Sequence, residues 1–136
     1  MEPDLSPLDA HLSALGVDAY LIDADGTDSN QRYLSGFDAP DPFLTCYTPE
    51  ECSLLVSGLE YGRAKTESRA DRVDRPVAYD KRSLVDAYGP VEASHRVAAA
   101  FLSAGGVESV AVPERFPAGT ADGLREQGIE VVVDTD

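Results

Sequence analysis

Apolar residues recur at three- and four-residue spacing from Leu8 through Leu12 to Leu15, and Gly16 closes the run. That period predicts an amphipathic helix with a glycine stop. Ser6-Pro7-Leu8-Asp9 supplies its start: serine as the expected N-cap, proline in the first turn and an acid at the third helical position. Ala19–Ile22 is a short continuous apolar run and predicts a strand. A polar loop follows through Ser29, and Asn30 is then placed to cap one helical turn ending at Gly36. Leu44–Tyr47 and Ser53–Val56 read as a hairpin around Pro49, and Leu59–Lys65 as a helix. Arg72–Tyr79 reads as a strand that Pro76 confines to an edge or a bulge. Arg82–Tyr88 is a short helix and Pro90–Ala104 a long one, with Val97, Phe101 and Ala104 on one face and Gly105-Gly106 ending it. Val107–Val112 and Ile129–Val133 are apolar strands on either side of a helix over Ala118–Gln127.

Strands alternating with helices, plus one hairpin, predict an α/β domain: a mixed sheet flanked by helices. The 136 residues make one domain with enough apolar content for a core, so disorder is not expected. No internal repeat or low-complexity segment interrupts the pattern. The last strand runs into Val133-Asp134-Thr135-Asp136 without a closing helix, which suits a domain cut from something longer.

Charge changes the picture more than length does. There are 25 Asp and Glu against 11 Lys and Arg, a net charge of -14, and Lys65 and Lys81 are the lysines. Carboxylates in excess with almost no lysine is the composition of proteins from salt-saturated cytoplasm, where screening removes the self-repulsion; an ordinary acidic domain is the other reading. Residues 1–60 hold 12 acids and a single cation, Arg32. Nucleic acid is excluded as a partner, since phosphate binding needs clustered Lys and Arg. No apolar run reaches the roughly 20 residues of a membrane span, and MEPDLSPLDAH has no leader pattern, so the expected location is the cytoplasm. Cys46 and Cys52 flank the Thr48–Glu51 turn. If Tyr47 pairs with Cys52, the two thiols point to opposite faces of the sheet, as core or half-buried groups rather than a disulfide or a zinc site.

Candidate chemistry concentrates in AYLIDADGTDSNQRYLSGF, residues 19–37. Its first half, a strand ending in Asp23-Ala24-Asp25-Gly26-Thr27, resembles the nucleophile motif of haloacid-dehalogenase-type phosphatases, with Asp23 as nucleophile and Asp25 as acid/base. The rest of that machinery does not follow: neither Lys65 nor Lys81 directly follows a matching strand, and Val112 runs into Pro113-Glu114-Arg115 instead of paired acids. A calcium loop is excluded by Asp28 standing where the sixth-position glycine belongs. His11 and His95 lie on separate helices, expected as a half-exposed and a solvated residue, and neither has a second histidine nearby to make a metal site.

The second half carries more context. Asp18-Ala19-Tyr20-Leu21, Asn30, Arg32 and Tyr33-Leu34-Ser35-Gly36-Phe37, followed by Leu54-Leu55-Val56 and Glu60-Tyr61-Gly62-Arg63-Ala64, resemble in order and spacing the N-terminal domain of the creatinase/prolidase/Xaa-Pro aminopeptidase family. The resemblance spans nearly the whole chain as a single domain, residues 1–136, and implies a ribonuclease H-like topology. It also implies that the chemistry lies elsewhere, in a C-terminal pita-bread domain absent from this chain. There, two Asp, one His and two Glu would hold two divalent ions (Mn, Co or Zn) that hydrolyse the bond before proline. No metal and no catalytic residue are then expected in these residues. The partners implied are that catalytic domain, in the same or a partner subunit of a homodimer, and a proline-containing peptide as substrate.

On this resemblance the loop Asp38-Ala39-Pro40-Asp41-Pro42-Phe43 reaches over a neighbour's substrate pocket. Its two prolines stiffen it, and Asp38 or Asp41 would meet a peptide's amino terminus. Arg32 either binds a substrate carboxylate or pairs with a nearby acid. Asn30, Tyr33, Gly36 and Phe37 are the structural motif of the turn, with Tyr33 and Phe37 as core anchors. The alternatives to a peptidase domain are a stand-alone interaction module of a family member that has lost catalysis, and the phosphatase.

Overall fold

The computed structural model describes residues 5–134. Met1–Asp4 and Thr135–Asp136 lie outside them, and with them part of the leaderless start and the abrupt chain end read from the sequence.

Thirteen elements follow in order, beginning with α1 (Ser6–Leu15), β1 (Ala19–Ala24), α2 (Ser29–Ser35), β2 (Phe43–Tyr47) and β3 (Cys52–Leu55). Next come α3 (Tyr61–Glu67), β4 (Arg72–Asp74), a 3₁₀ turn (Pro76–Tyr79), α4 (Lys81–Tyr88) and α5 (Pro90–Ala104). The chain closes with β5 (Ser109–Pro113), α6 (Ala118–Glu126) and β6 (Glu130–Asp134). The strands form one six-stranded sheet in the order β4-β3-β2-β1-β5-β6. β2 runs antiparallel to both β1 and β3, whereas β1–β5, β5–β6 and β3–β4 are parallel. This is the mixed α/β sheet with helices on its faces that the pattern predicts.

Strand parity divides the core. Ala19 and Leu21 of β1, Leu44 and Cys46 of β2, and Val110 and Val112 of β5 face α5 and α6, where Val97, Phe101, Leu102 and Leu124 meet them. On the opposite face Ile22, Tyr47 and Ala111 pack with Leu12 of α1 and Leu34 of α2. Farther along that face, Phe37, Phe43, Leu54 and Val56 close around Ala64 of α3. Tyr47 pairs with Cys52, so the two thiols do lie on opposite faces: Cys46 in the α5/α6 core, Cys52 against the α1/α2 side. Burial pushes both thiols up to about 12.

Several boundaries differ from the sequence pattern, each for a local reason. Leu5, not Ser6, occupies the N-cap position of α1, and Asp9 accepts a hydrogen bond from the Tyr47 hydroxyl across the face of the sheet. α2 begins two residues early because Asp28 is extended (φ -72°, ψ 123°) and accepts from Gln31 N at 3.0 Å; Asn30 is therefore inside the helix and not its cap. The strand expected over Arg72–Tyr79 ends at Asp74, since Pro76 has no N–H for a ladder and opens a 3₁₀ turn instead. α3 lies two residues later than expected, leaving Leu59 exposed.

Candidate functional site

The loop from Asp38 to Phe43 leaves the end of α2 and returns to β2, and its anchors alternate with exposed residues. Phe37, Ala39 and Phe43 are buried, while Asp38, Pro40, Asp41 and Pro42 face solvent. Phe37 and Phe43 meet edge to face, with ring centroids 5.6 Å apart at 71°, a contact of about 0.5–1.5 kcal/mol beyond the area it buries.

Polar groups clamp the root of the loop. Gln31 is fully buried, and its Nε2 donates to Ala24 O (2.8 Å) and Phe43 O (2.7 Å), tying α2 to the end of β1 and the start of β2. Ser35 Oγ donates to Gln31 O (2.6 Å) and accepts from Phe37 N (3.0 Å). Gly36 ends α2 in the left-handed region (φ 64°), and a Cβ there would stand 2.9 Å from Arg69 Cγ. Arg69 passes over that glycine to donate to the carbonyls of Arg32, which also accepts from Gly36 N, and of Tyr33, an acceptor the helix end leaves open. Arg63 stacks on Phe37 (5.0 Å to the centroid), donates to Asp38 O at 2.9 Å, and is itself paired with Glu60 and Glu67. From the other side Gly26 N donates to Ala39 O (2.8 Å), and a Cβ on Gly26 would fall 2.1 Å from Asp38 Oδ1. Only glycine admits that approach.

The sequence-derived site residues are partly brought together. Arg32, Tyr33 and Asp38 line one shallow depression of about 450 Å³ with Arg69, and Asp41 lies outside it. Among the described residues no carboxylate comes within ion-pair distance of Arg32, so the pairing expected for it is not formed. Tyr33 is 50% exposed and is not a core anchor: Gln31, Leu34 and Ser35 occupy the inward face of α2, which turns Tyr33 outward. Phe37, 2% exposed, is the anchor. The clamps Gln31, Arg63 and Arg69 were missed as such; the signal for Arg63 was Glu60 and Glu67 at helical spacing around it.

Asp23 and Asp25 do not form a catalytic pair. Asp25 turns back on its own loop, accepting from the Thr27 amide (2.8 Å) and hydroxyl, and these bonds hold its carboxyl below the usual carboxylate range. Asp23 points to the α5 face, and burial raises it. Asp28, besides capping α2, takes the guanidinium of Arg115, which lowers it. His11 is half-buried on α1 with Nε2 3.0 Å from Asp134 Oδ2. His95 is not a freely solvated residue: its ring fills the slot left by Gly123 on α6. Among the described residues no group of three or more His, Cys, Asp or Glu converges on a point that could hold a metal ion. Among them, too, no helix is long and apolar enough to cross a membrane.

The creatinase/prolidase N-terminal domain family matches residues 5–135, nearly the full chain. The chain belongs to this family. Solved structures agree at the level of the fold. A Xaa-Pro aminopeptidase from Streptococcus pyogenes superposes with a TM-score of 0.64 at 16% identity, over 96% of this chain and 88% of that one. The prolidase from Pyrococcus horikoshii OT3 gives 0.65 at 22% identity, over 95% of this chain and 31% of its own. A Xaa-Pro dipeptidase from Bacillus anthracis gives 0.66 at 10% identity, over 96% and 32%. This creatinase/prolidase-type domain thus spans about a third of the Pyrococcus and Bacillus chains. No curated protein sequence matches it significantly.

Proposed function

We propose that this creatinase/prolidase-type domain is the non-catalytic N-terminal domain of a cytoplasmic Xaa-Pro aminopeptidase or prolidase, and that it serves dimerisation and caps the substrate pocket of a partner subunit. The metal-dependent hydrolysis belongs to a catalytic domain carrying two divalent ions (manganese, cobalt or zinc), and the peptide reaches this domain only at its edge.

One observation carries the reading: the loop at Asp38–Phe43 is clamped from three directions at its root and offers two solvent-facing carboxylates, Asp38 at the root and Asp41 nearer the tip. Prolines at 40 and 42 reduce the entropy lost in holding that tip against a substrate. A carboxylate held there attracts a peptide's free amino terminus, and Arg32 on the flanking depression is free of an ion pair among the described residues.

In the full-length peptidase, Asp38→Asn and Asp41→Asn should raise KM for dipeptides by about five- to thirty-fold, from the ~1 to ~2 kcal/mol of a screened or desolvated charge pair. The turnover number should stay within about twofold, because the lost contact acts on substrate binding and not on the metal-bound nucleophile. Wild-type kinetics in both variants would make the loop scaffold only. The alternative is a stand-alone interaction module of a family member that has lost catalysis. Finding metal ligands in protein sequence beyond residue 136 would decide against it.

A further inference from the structure

Asp23 stands out among the carboxylates at this end of the sheet. Asp25 is held by Thr27, Asp28 by Gln31 and Arg115, and Asp74 by Tyr79 and Arg72. Asp23 has no hydrogen-bond donor and no cation among the described residues, although it is partly buried. Taking a carboxylate from water without a partner is unfavourable, and a purely structural role would supply a partner.

The side chain opens into a pocket of about 440 Å³ on the α5 face, at the point where the core formed by Ala19 and Leu21 ends. Leu44, Leu55, Val91 and Val97 make its apolar walls. Lys81, at the first position of α4, lines the same pocket and is likewise unpaired among the described residues. A lysine at a helix N-terminus opposes the helix dipole, so its placement does nothing for α4, whose own N-terminus has no side-chain cap. Two opposite charges therefore share one cavity, lined also by His95, Ser94 and Thr120, without forming an ion pair among the described residues. The volume lies in the range of small-molecule sites, about 300–1,000 Å³, and the mixture of apolar wall and a few fixed polar groups is what such sites use.

We propose that this pocket binds a small zwitterion with an apolar body, a free amino acid or a dipeptide, its ammonium group on the Asp23 carboxylate and its carboxylate on the Lys81 ammonium. The site shares Pro42 and Phe43 with the Asp38–Phe43 loop, but its two charges lie outside that loop and its test needs no catalytic domain.

The test is an amide chemical-shift titration of the 136-residue chain with L-leucine and with Ala-Leu, each to about 20 mM, well above a millimolar Kd. N-acetyl-leucine and leucinamide, lacking the ammonium and the carboxylate respectively, are the matched probes. Shifts should centre on Asp23, Phe43 and Lys81, and each blocked probe should bind about tenfold more weakly than leucine. Asp23→Asn should erase the difference between leucine and N-acetyl-leucine while keeping that between leucine and leucinamide. Lys81→Met should do the reverse. The tighter of leucine and Ala-Leu identifies the length of ligand the pocket takes. No saturable shift at the pocket, equal binding of blocked and free probes, or indifference to both substitutions would each overturn the proposal and leave two solvated charges at a cavity rim.

Discussion

Gly123 lets α6 pack against α5, and Gly123→Ala sets two terms of opposite sign against each other. In a helix interior alanine is favoured over glycine by about 1 kcal/mol, so an open site would be stabilised. At position 123 the new methyl carbon would stand 2.2 Å from both Cγ and Nδ1 of His95 and 2.7 Å from Cε1, against about 3.5–4.0 Å for an ordinary carbon contact. Cγ is the ring atom bonded to Cβ, so flipping the ring does not relieve the overlap; the whole side chain must leave its rotamer or α6 must move off α5. Overpacking of this kind costs about 1–3 kcal/mol. The net expectation is a loss of up to about 2 kcal/mol, or up to roughly 8 °C in Tm for a domain of this size. The assay is urea unfolding of the four proteins in the cycle formed by Gly123→Ala and His95→Ala. In the His95→Ala background the clash is gone, and Gly123→Ala should become neutral or stabilising, giving a coupling of at least about 1 kcal/mol. A Gly123→Ala protein more stable than the wild type, or additivity within about 0.5 kcal/mol, would refute the packing described here.

Two further outcomes follow from the electrostatics. Burial raises the carboxyl of Asp23 in the folded state, so the folded chain holds that proton more tightly than the unfolded chain; the penalty is absent below the ordinary carboxylate range and present above the raised value. Asp23→Asn should therefore raise Tm at pH 7, with the gain fading as the pH falls through the raised value toward about 4, and a lower Tm at pH 7 would contradict the unpaired carboxylate. With a net charge of -14, the domain should also gain stability as KCl rises from about 0.05 M to 2 M and screening shortens from roughly 14 Å to about 2 Å. An unchanged Tm across that range would speak against salt adaptation.

The period of the apolar residues determined the order and type of nearly every element, and the alternation along β1, β2 and β5 determined which residues face which side of the sheet. These are local properties: a two-residue repeat reads faces without knowledge of what covers them. The motif Tyr33-Leu34-Ser35-Gly36-Phe37 was legible as a helix turn stopped by glycine, and its family resemblance followed from order and spacing. What the sequence could not supply was which side of each turn is inward. Tyr33 and Phe37 are both aromatic, four residues apart, yet the first is half exposed and the second buried, because α2 ends between them and the chain changes direction at Gly36. Likewise Asp28 and Asn30 are equally good caps by residue type, and only the extended backbone at Asp28 selects it. The loop clamps were invisible for a different reason. Gln31, Arg63 and Arg69 act on acceptors up to 37 residues away, and no spacing rule joins a side chain to a carbonyl that only the folded sheet brings near. The same holds for Asp23, legible in the sequence only as part of a phosphatase-like motif, and for Lys81: tertiary structure alone places them, without an ion pair among the described residues, on the walls of one cavity.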